Sequence, residues 1–282
     1  MDAKLQRRVQ RYGWDLAAAD YEPLWQSQLA PAQAKLMACA ALLPGEWVLD
    51  VACGTGLVSF AAARNVGPTG SVVGVDISGQ MVEIAACRAR ELAETNTRFA
   101  RMDAENLALP DASFDVVLCA LGLMYLPDPE QALREMRRVL RPGGRIVLAV
   151  WGERSACGWS PVFEIVDAEV SSEVCPLFFR LGQHDALSQA CFDAYFAAVE
   201  QHRISVTLDY ANADEACRAA FIGGPVALAW SRFDEATRAR ACARYLEAID
   251  AWRDGDAYRV PGQFVIVFAV ASSGFDADLK SG

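Results

Sequence analysis

The chain has 282 residues, 53% hydrophobic and 22% charged, enough for one large core or a core carrying an elaborated cap. A net charge of −10 and an isoelectric point near 4.8 disfavour a nucleic-acid duplex or an anionic membrane as partner. Nine scattered cysteines without a CxxC pair argue against a disulfide framework and a zinc site. No leader-like or bilayer-length apolar run is present, so the reading is a soluble, cytoplasmic chain without membrane insertion.

Residues 1–30 place Tyr12, Trp14, Tyr21 and Trp25 among alanines and charges, which predicts a helical arm or lid ahead of the first strand. The basic group Lys4, Arg7, Arg8 and Arg11 in this arm is diluted by Asp2, Asp15 and Asp20 and reads as a solvated helix face. Residues 31–151 form the predicted core. From residue 46, short apolar runs (WVLDV, SVVGVDI, TRFAR, FDVVLCA, GRIVLAVW) alternate with helical patterns (GLVSFAAARN, GQMVEIAACRARELAE, PEQALREMRRVL). Fully apolar strands separated by helices predict an α/β fold with a mostly parallel, Rossmann-like sheet and helices on both faces.

After Trp151 the pattern changes. Residues 152–200 carry Gly, Pro, Cys, Trp and a Phe pair without a clean strand signal, then a helical run DALSQACFDAYFAAVE, and read as a helical cap or pocket-forming insertion. Residues 201–273 return to the sheet with HRISVTLDY and QFVIVFAVA around a helical insertion at 213–253, and 274–282 form a tail.

The segment VLDVACGTG carries the chemistry. A dinucleotide turn needs GxGxxG, but the spacing here gives Gly54, Gly56 and then Ser59, and no Gly-Lys-Ser/Thr follows to cradle a phosphate. Asp50, Asp76 and Asp103 stand at or near the carboxyl ends of the first three strands. Such acids repel phosphates. They suit an adenosine with a cationic end and no phosphate, as in S-adenosylmethionine, with Asp76 placed to accept both ribose hydroxyls.

VLDVACGTG, GVDIS and the run from Asp103 to Trp151, which holds LGLMYLPDP and RPGGRIVLAVW, resemble the ordered motifs of class I S-adenosylmethionine-dependent methyltransferases. The similarity spans about residues 46–151 and is strongest to the small-molecule group that includes the ubiquinone/menaquinone C-methyltransferases. It implies a seven-stranded sheet whose last strand is antiparallel. By position, Gly54 and Gly56 would let backbone approach the methionine part and Met81 would lie against adenine. Asp103, Ala104 and Glu105 would address the adenine amine, and Cys119, Ala120 and Leu121 the sulfonium side. Tyr21 matches an arm position that closes over the cofactor.

Methyl transfer needs a base only when the acceptor must lose a proton. LGLMYLPDP lacks the Asn/Asp-Pro-Pro-aromatic signature of nucleic-acid amino-methyltransferases, which points to a small, apolar or aromatic acceptor methylated at O, C, N or S. Tyr125 and His184 are the candidate catalytic residues, each with a packing or surface role as the alternative, and His202 opens a core strand. Trp151, Trp159, Phe178 and Phe179 form either an acceptor pocket or plain core. A cofactor-binding regulator or pericyclase-like scaffold stays open, as does a thiol or metalloid methyltransferase using Cys53, Cys157 and Cys175. No metal is expected, and a homodimer is compatible with the sequence.

Overall fold

The structure, a computed structural model, describes residues 3–170, 175 and 177–272. The expected tail at 274–282 lies outside the described residues, as do residues 171–174 and 176 of the expected cap. In chain order the elements are α1 (Ala3–Ala40), β1 (Trp47–Val51), α2 (Leu57–Val66), β2 (Ser71–Asp76), α3 (Gly79–Glu91), β3 (Thr97–Arg101), β4 (Phe114–Ala120), α4 (Pro129–Val139) and β5 (Leu140–Trp151). Then come α5 (Pro161–Val170), α6 (Ala186–Asp193), β6 (Phe196–Tyr210), α7 (Ala213–Phe221), α8 (Ala227–Ser231), α9 (Glu235–Ile249), β7 (Arg253–Asp254) and β8 (Ala257–Ala271).

The strands form one sheet in the order β3-β2-β1-β4-β5-β8-β6, with β7 paired to β8. Strands β1 to β5 run parallel, and β8 is antiparallel to both β5 and β6. The last strand is antiparallel, as expected, but the sheet has eight strands where seven were expected. The additional one is the two-residue β7, which folds back on β8 through a turn at Gly255, φ +64°. After β1 the chain winds outward through β2 and β3, then returns to lay β4 on the other side of β1. Such a reversal opens a crevice at the carboxyl ends of the strands.

Val48, Leu49, Val51, Val116, Val117, Leu118 and the run Ile146–Val150 are fully buried, which explains why these strands read as continuous apolar runs. Short side chains set the helix starts. Ser78 accepts a hydrogen bond from the Met81 N–H at 3.1 Å at the start of α3, and Asp128 accepts from the Gln131 N–H at 2.9 Å before Pro129 opens α4.

One expected helix is shorter than its sequence pattern. The run from Asp185 to Glu200 reads as continuous helix, yet α6 ends at Asp193 and residues from Phe196 onward belong to β6. Tyr195 reverses the chain at φ +63°, and Phe196 and Ala197 pair with Ala271 and Val270. Sheet pairing outweighs the high helix propensity of the alanines.

Helix α1 is the unusual element. It runs 38 residues through Pro23 and Pro31. Its buried stripe (Gly13, Ala17, Leu24, Gln28, Ala32, Leu36) recurs every three to seven residues and packs across the sheet. The Gln28 side chain exchanges two hydrogen bonds with the Asp209 backbone at 2.5 and 3.1 Å, and the Trp25 Nε1–H donates to the Ala219 carbonyl at 3.1 Å. At its end the Arg145 guanidinium donates to the Ala40 and Ala41 carbonyls. A cation there satisfies carbonyls that the helix leaves open.

Candidate active site

A cleft lies over the carboxyl ends of β1, β2 and β4. Its floor comes from three strand exits: Val51, Ala52 and Gly54; Val75, Asp76 and Ile77; and Ala120, Leu121 and Gly122. Met81, Met102, Asp103 and Ala104 close one end, and Gln10, Trp14 and Tyr21 of α1 form the roof. Gly54 holds φ +54°, and a Cβ there would lie 3.8 Å from the Tyr21 ring. Leu121 is left-handed at φ +64°, which a non-glycine residue adopts at a cost, and the fold retains it where β4 meets the cleft.

The Asp76 carboxylate ties two of these exits together, accepting from the Gly54 N–H at 2.9 Å and from the Ser78 N–H at 2.8 Å. Burial raises its pKa, the two backbone donors oppose that rise, and the Asp15 charge adds to it. Asp50 is 1% exposed and accepts from the Ser59 hydroxyl at 2.6 Å. Burial pushes it up to about 7, Ser59 pulls it down, and the charge of Asp76 pushes it further up. Among the described residues its Oδ1 and the Thr55 Oγ1 are buried without a protein partner, and both residues line a smaller recess that shares Tyr21, Ala52, Gly54 and Ala120 with the cleft. A cation in this recess would satisfy Asp50 and return it toward its ordinary acidity.

Helix α1 is fastened over the cleft by charge. Arg7 pairs with Glu105 and, at 3.2 Å, with Asp103. Asp15 accepts from the Ser78 hydroxyl at 2.7 Å, and Arg88 grips Glu22 with two hydrogen bonds of 2.7 and 2.6 Å. Each contact joins α1 to the segments that carry Asp76, Met81 and Asp103.

Behind Leu121 and Tyr125 lies a second, smaller chamber. Trp14, Tyr21, Leu121 and Tyr125 line both spaces. Trp25, Leu29, Trp151, Trp159 and the backbone turn Gly223–Gly224–Pro225 complete the chamber alone. Tyr125 ends a 3₁₀ turn after β4, with its ring 5.1 Å from Trp14 and 5.3 Å from Phe178. Burial raises its phenol well above the ordinary range, so Tyr125 is suited to donate a hydrogen bond and unsuited to act as a base.

Of the sequence-expected residues, the cleft gathers Gly54, Asp76, Met81, Asp103, Ala104, Ala120, Leu121, Tyr21 and Tyr125, and Asp50 lines the adjoining recess. Four others lie elsewhere. Gly56 faces the helix packing, where a Cβ would come 2.8 Å from the Phe60 ring. Glu105 is 5% exposed, and its carboxylate is taken by Arg7 and the Asp128 N–H. Cys119 is fully buried and burial pushes its thiol up to about 12. His184, a catalytic candidate with a surface role as the alternative, is on the surface with its side chain 90% exposed, 3.5 Å from Glu153. Trp14 and Trp25 went unassigned in the sequence reading. Their signal was spacing, since Trp14, Tyr21 and Trp25 stand seven and eleven residues apart, two and three helical turns.

Residues 49–148 match the family model described as a methyltransferase domain. Demethylmenaquinone methyltransferase of Lactococcus lactis is 43% identical over 115 residues, covering 41% of this chain and 46% of that protein. The chain spans about half the length of the curated relatives it matches. Among solved structures, the YcgJ protein of Bacillus subtilis superposes with a TM-score of 0.62 at 22% identity, covering 86% of this chain and 100% of that one. The cyclase SpnF superposes with a TM-score of 0.60 at 23% identity over 89% and 83% of the two chains. Both likenesses show the fold.

Proposed function

We propose that the chain is an S-adenosylmethionine-dependent methyltransferase acting on a small, apolar or aromatic acceptor met in the cytoplasm, by a monomer or a homodimer. The observation that carries this reading is the meeting of an acid-edged cleft and an aromatic chamber at Leu121 and Tyr125. Similarity to the demethylmenaquinone methyltransferases supports an acceptor of the quinone type, methylated at carbon.

The residues present fit that cofactor. The unpartnered Asp50 Oδ1 and Thr55 Oγ1 suit the amino-acid end, Asp76 the ribose hydroxyls, and Met81 with Asp103 and Ala104 the adenine. When bound, the cofactor supplies a methyl carbon already activated by its positive sulfur. Orientation and exclusion of water then supply the rest, work that the α1 roof and the aromatic walls can do. Tyr125 is placed to donate a hydrogen bond to the acceptor at the junction of the two spaces.

The thiol or metalloid reading is not favoured. Burial raises Cys53 well above its ordinary value and pushes Cys157 up to about 11 and Cys175 to about 12, so all three stay protonated. Among the described residues no group of three or more His, Cys, Asp or Glu side chains is arranged to hold a metal. No described helix is long and apolar enough to cross a membrane.

Calorimetry with S-adenosylhomocysteine tests the cofactor, with binding expected and its absence fatal to the proposal. Incubation of a cell extract with methyl-labelled S-adenosylmethionine tests the transfer. Label is expected in a single small-molecule peak. Label confined to nucleic acid, or none at all, would overturn the reading.

A further inference from the structure

The chamber has a property its outline does not require. Among the described residues no charged side chain lines it, and six of its walls are aromatic: Trp14, Tyr21, Trp25, Tyr125, Trp151 and Trp159. Walls of this kind accept a flat, uncharged ring, which gains from edge and face contacts beyond area burial. A ring needs no polar partner. Yet among the described residues the Trp159 Nε1–H is buried without an acceptor, in a residue only 2% exposed.

That orphan donor is unusual in this setting. Leaving a buried N–H unpaired forfeits the hydrogen bond it makes with water in the unfolded chain. Trp25, on the same chamber, has its indole N–H satisfied by the Ala219 carbonyl at 3.1 Å. Trp159 is also well held. Its ring centroid lies 4.8 Å from Trp151, 5.6 Å from Phe178 and 5.7 Å from Phe163. The residue before it, Gly158, has no room for a Cβ, which would come 2.8 Å from Trp252 and 3.0 Å from Pro261. The indole therefore has little freedom to turn toward another partner.

We propose that the chamber binds a flat aromatic acceptor bearing a ring oxygen, and that the Trp159 indole N–H donates the hydrogen bond that recognises this oxygen. The proposal rests on the methyltransferase reading and names its substrate class. Trp159 lines the chamber and not the cleft, so the oxygen it holds is set back from the shared wall and another atom of the ring faces the cleft. Trp159 also lies outside the segment that matches the methyltransferase domain, so it sets the choice of acceptor and leaves the cofactor site alone.

The test uses 1-naphthol and naphthalene, which differ by one oxygen, titrated into protein saturated with S-adenosylhomocysteine. In a chamber without a polar partner, naphthalene binds better, because the hydroxyl loses its water for nothing. With the Trp159 donor, 1-naphthol binds roughly tenfold more tightly than naphthalene, and the preference disappears in Trp159→Phe while S-adenosylhomocysteine affinity holds. Equal binding of the two rings, or an unchanged preference in the variant, overturns the proposal. Tighter binding of phenyltrimethylammonium than of 1-naphthol overturns it too, since that marks a cation cage. Failure of S-adenosylhomocysteine itself to bind overturns the methyltransferase reading instead.

Should Trp159→Phe fold poorly, the wild-type chain supplies the answer through its indole ¹H–¹⁵N resonances, one for each of seven tryptophans. One of them moves downfield with 1-naphthol and not with naphthalene. No such selective shift overturns the donor role.

Discussion

The cleft and the chamber share a wall but are built differently. The cleft floor comes from strand exits within residues 51–122, and its key features are backbone conformations and carboxylates. The chamber draws on α1, the exit of β4, the end of β5, the segment after it and the turn at 223–225, and its features are side-chain rings. A site made of contiguous turns can recur across many acceptors. A site assembled from distant segments is free to change its specificity without disturbing the cofactor.

The largest effect is expected from Gly54→Val, which places a branched side chain at φ +54° and on the cleft floor beneath Tyr21. Binding of S-adenosylhomocysteine should fall by about a hundredfold or more, with a stability loss of about 1–2 kcal/mol. Calorimetry and thermal melts check both. If Gly56→Ala gave the same binding defect with an intact melt, the division between a cleft glycine and a packing glycine would be broken.

Asp76→Ala comes next. It removes an acceptor placed for the ribose and strands the Gly54 and Ser78 N–H groups. Cofactor affinity should weaken about tenfold to a hundredfold. An unchanged dissociation constant would mean that the ribose is held elsewhere.

The third prediction concerns pH. Burial, with the charge of Asp76 adding to it, holds Asp50 near 7, above its ordinary 3.8. A raised carboxyl favours the fold at low pH, and that contribution fades as pH climbs through about 7. A cationic cofactor needs Asp50 ionised, so affinity should rise by up to about tenfold per unit as pH approaches 7 from below, then level off. Asp50→Asn should flatten the profile. A flat wild-type profile would dissociate Asp50 from the cofactor.

Leu29→Ala isolates the chamber. Leu29 is 4% exposed and touches the chamber but not the cleft. Its truncation should cost about 2–3 kcal/mol of stability, alter acceptor KM several-fold and leave S-adenosylhomocysteine affinity unmoved. A shift in cofactor affinity would show that the two spaces are not separable. The smallest effect is expected from Arg7→Ala. This guanidinium is about one-third exposed, so the change should be within about 1 kcal/mol, read as a two- to fivefold faster release of S-adenosylhomocysteine in stopped flow.

The same division decides what was legible in the sequence. Apolar strands buried on both faces announce themselves, and Asp76 is marked by its place at the end of one. Contiguity misled where periodicity matters. Cys119, Ala120 and Leu121 read as one cleft-facing triplet, but successive strand residues point opposite ways, and Cys119 goes into the core. Gly54 and Gly56 look equivalent in the motif, yet only one borders the cleft. The roof and the chamber were harder to see, because Trp14, Trp25 and Trp159 acquire their neighbours from elements far along the chain. The loop bearing His184 gave no local sign of which way it faces.

The contacts that dock α1 have a temporal consequence. Gln28 bonds to Asp209 across 181 residues, and Trp25 bonds to Ala219 across 194. Synthesis runs from α1 toward these partners, so the helix is made well before β6 and α7 and cannot complete its docking until they follow. Until then the parallel strands β1 to β5 can pair with α1 held by its contacts to residues 78–105. The aromatic chamber, walled by residues from Trp14 to Pro225, therefore comes into being later than the parallel part of the sheet and the cleft above it.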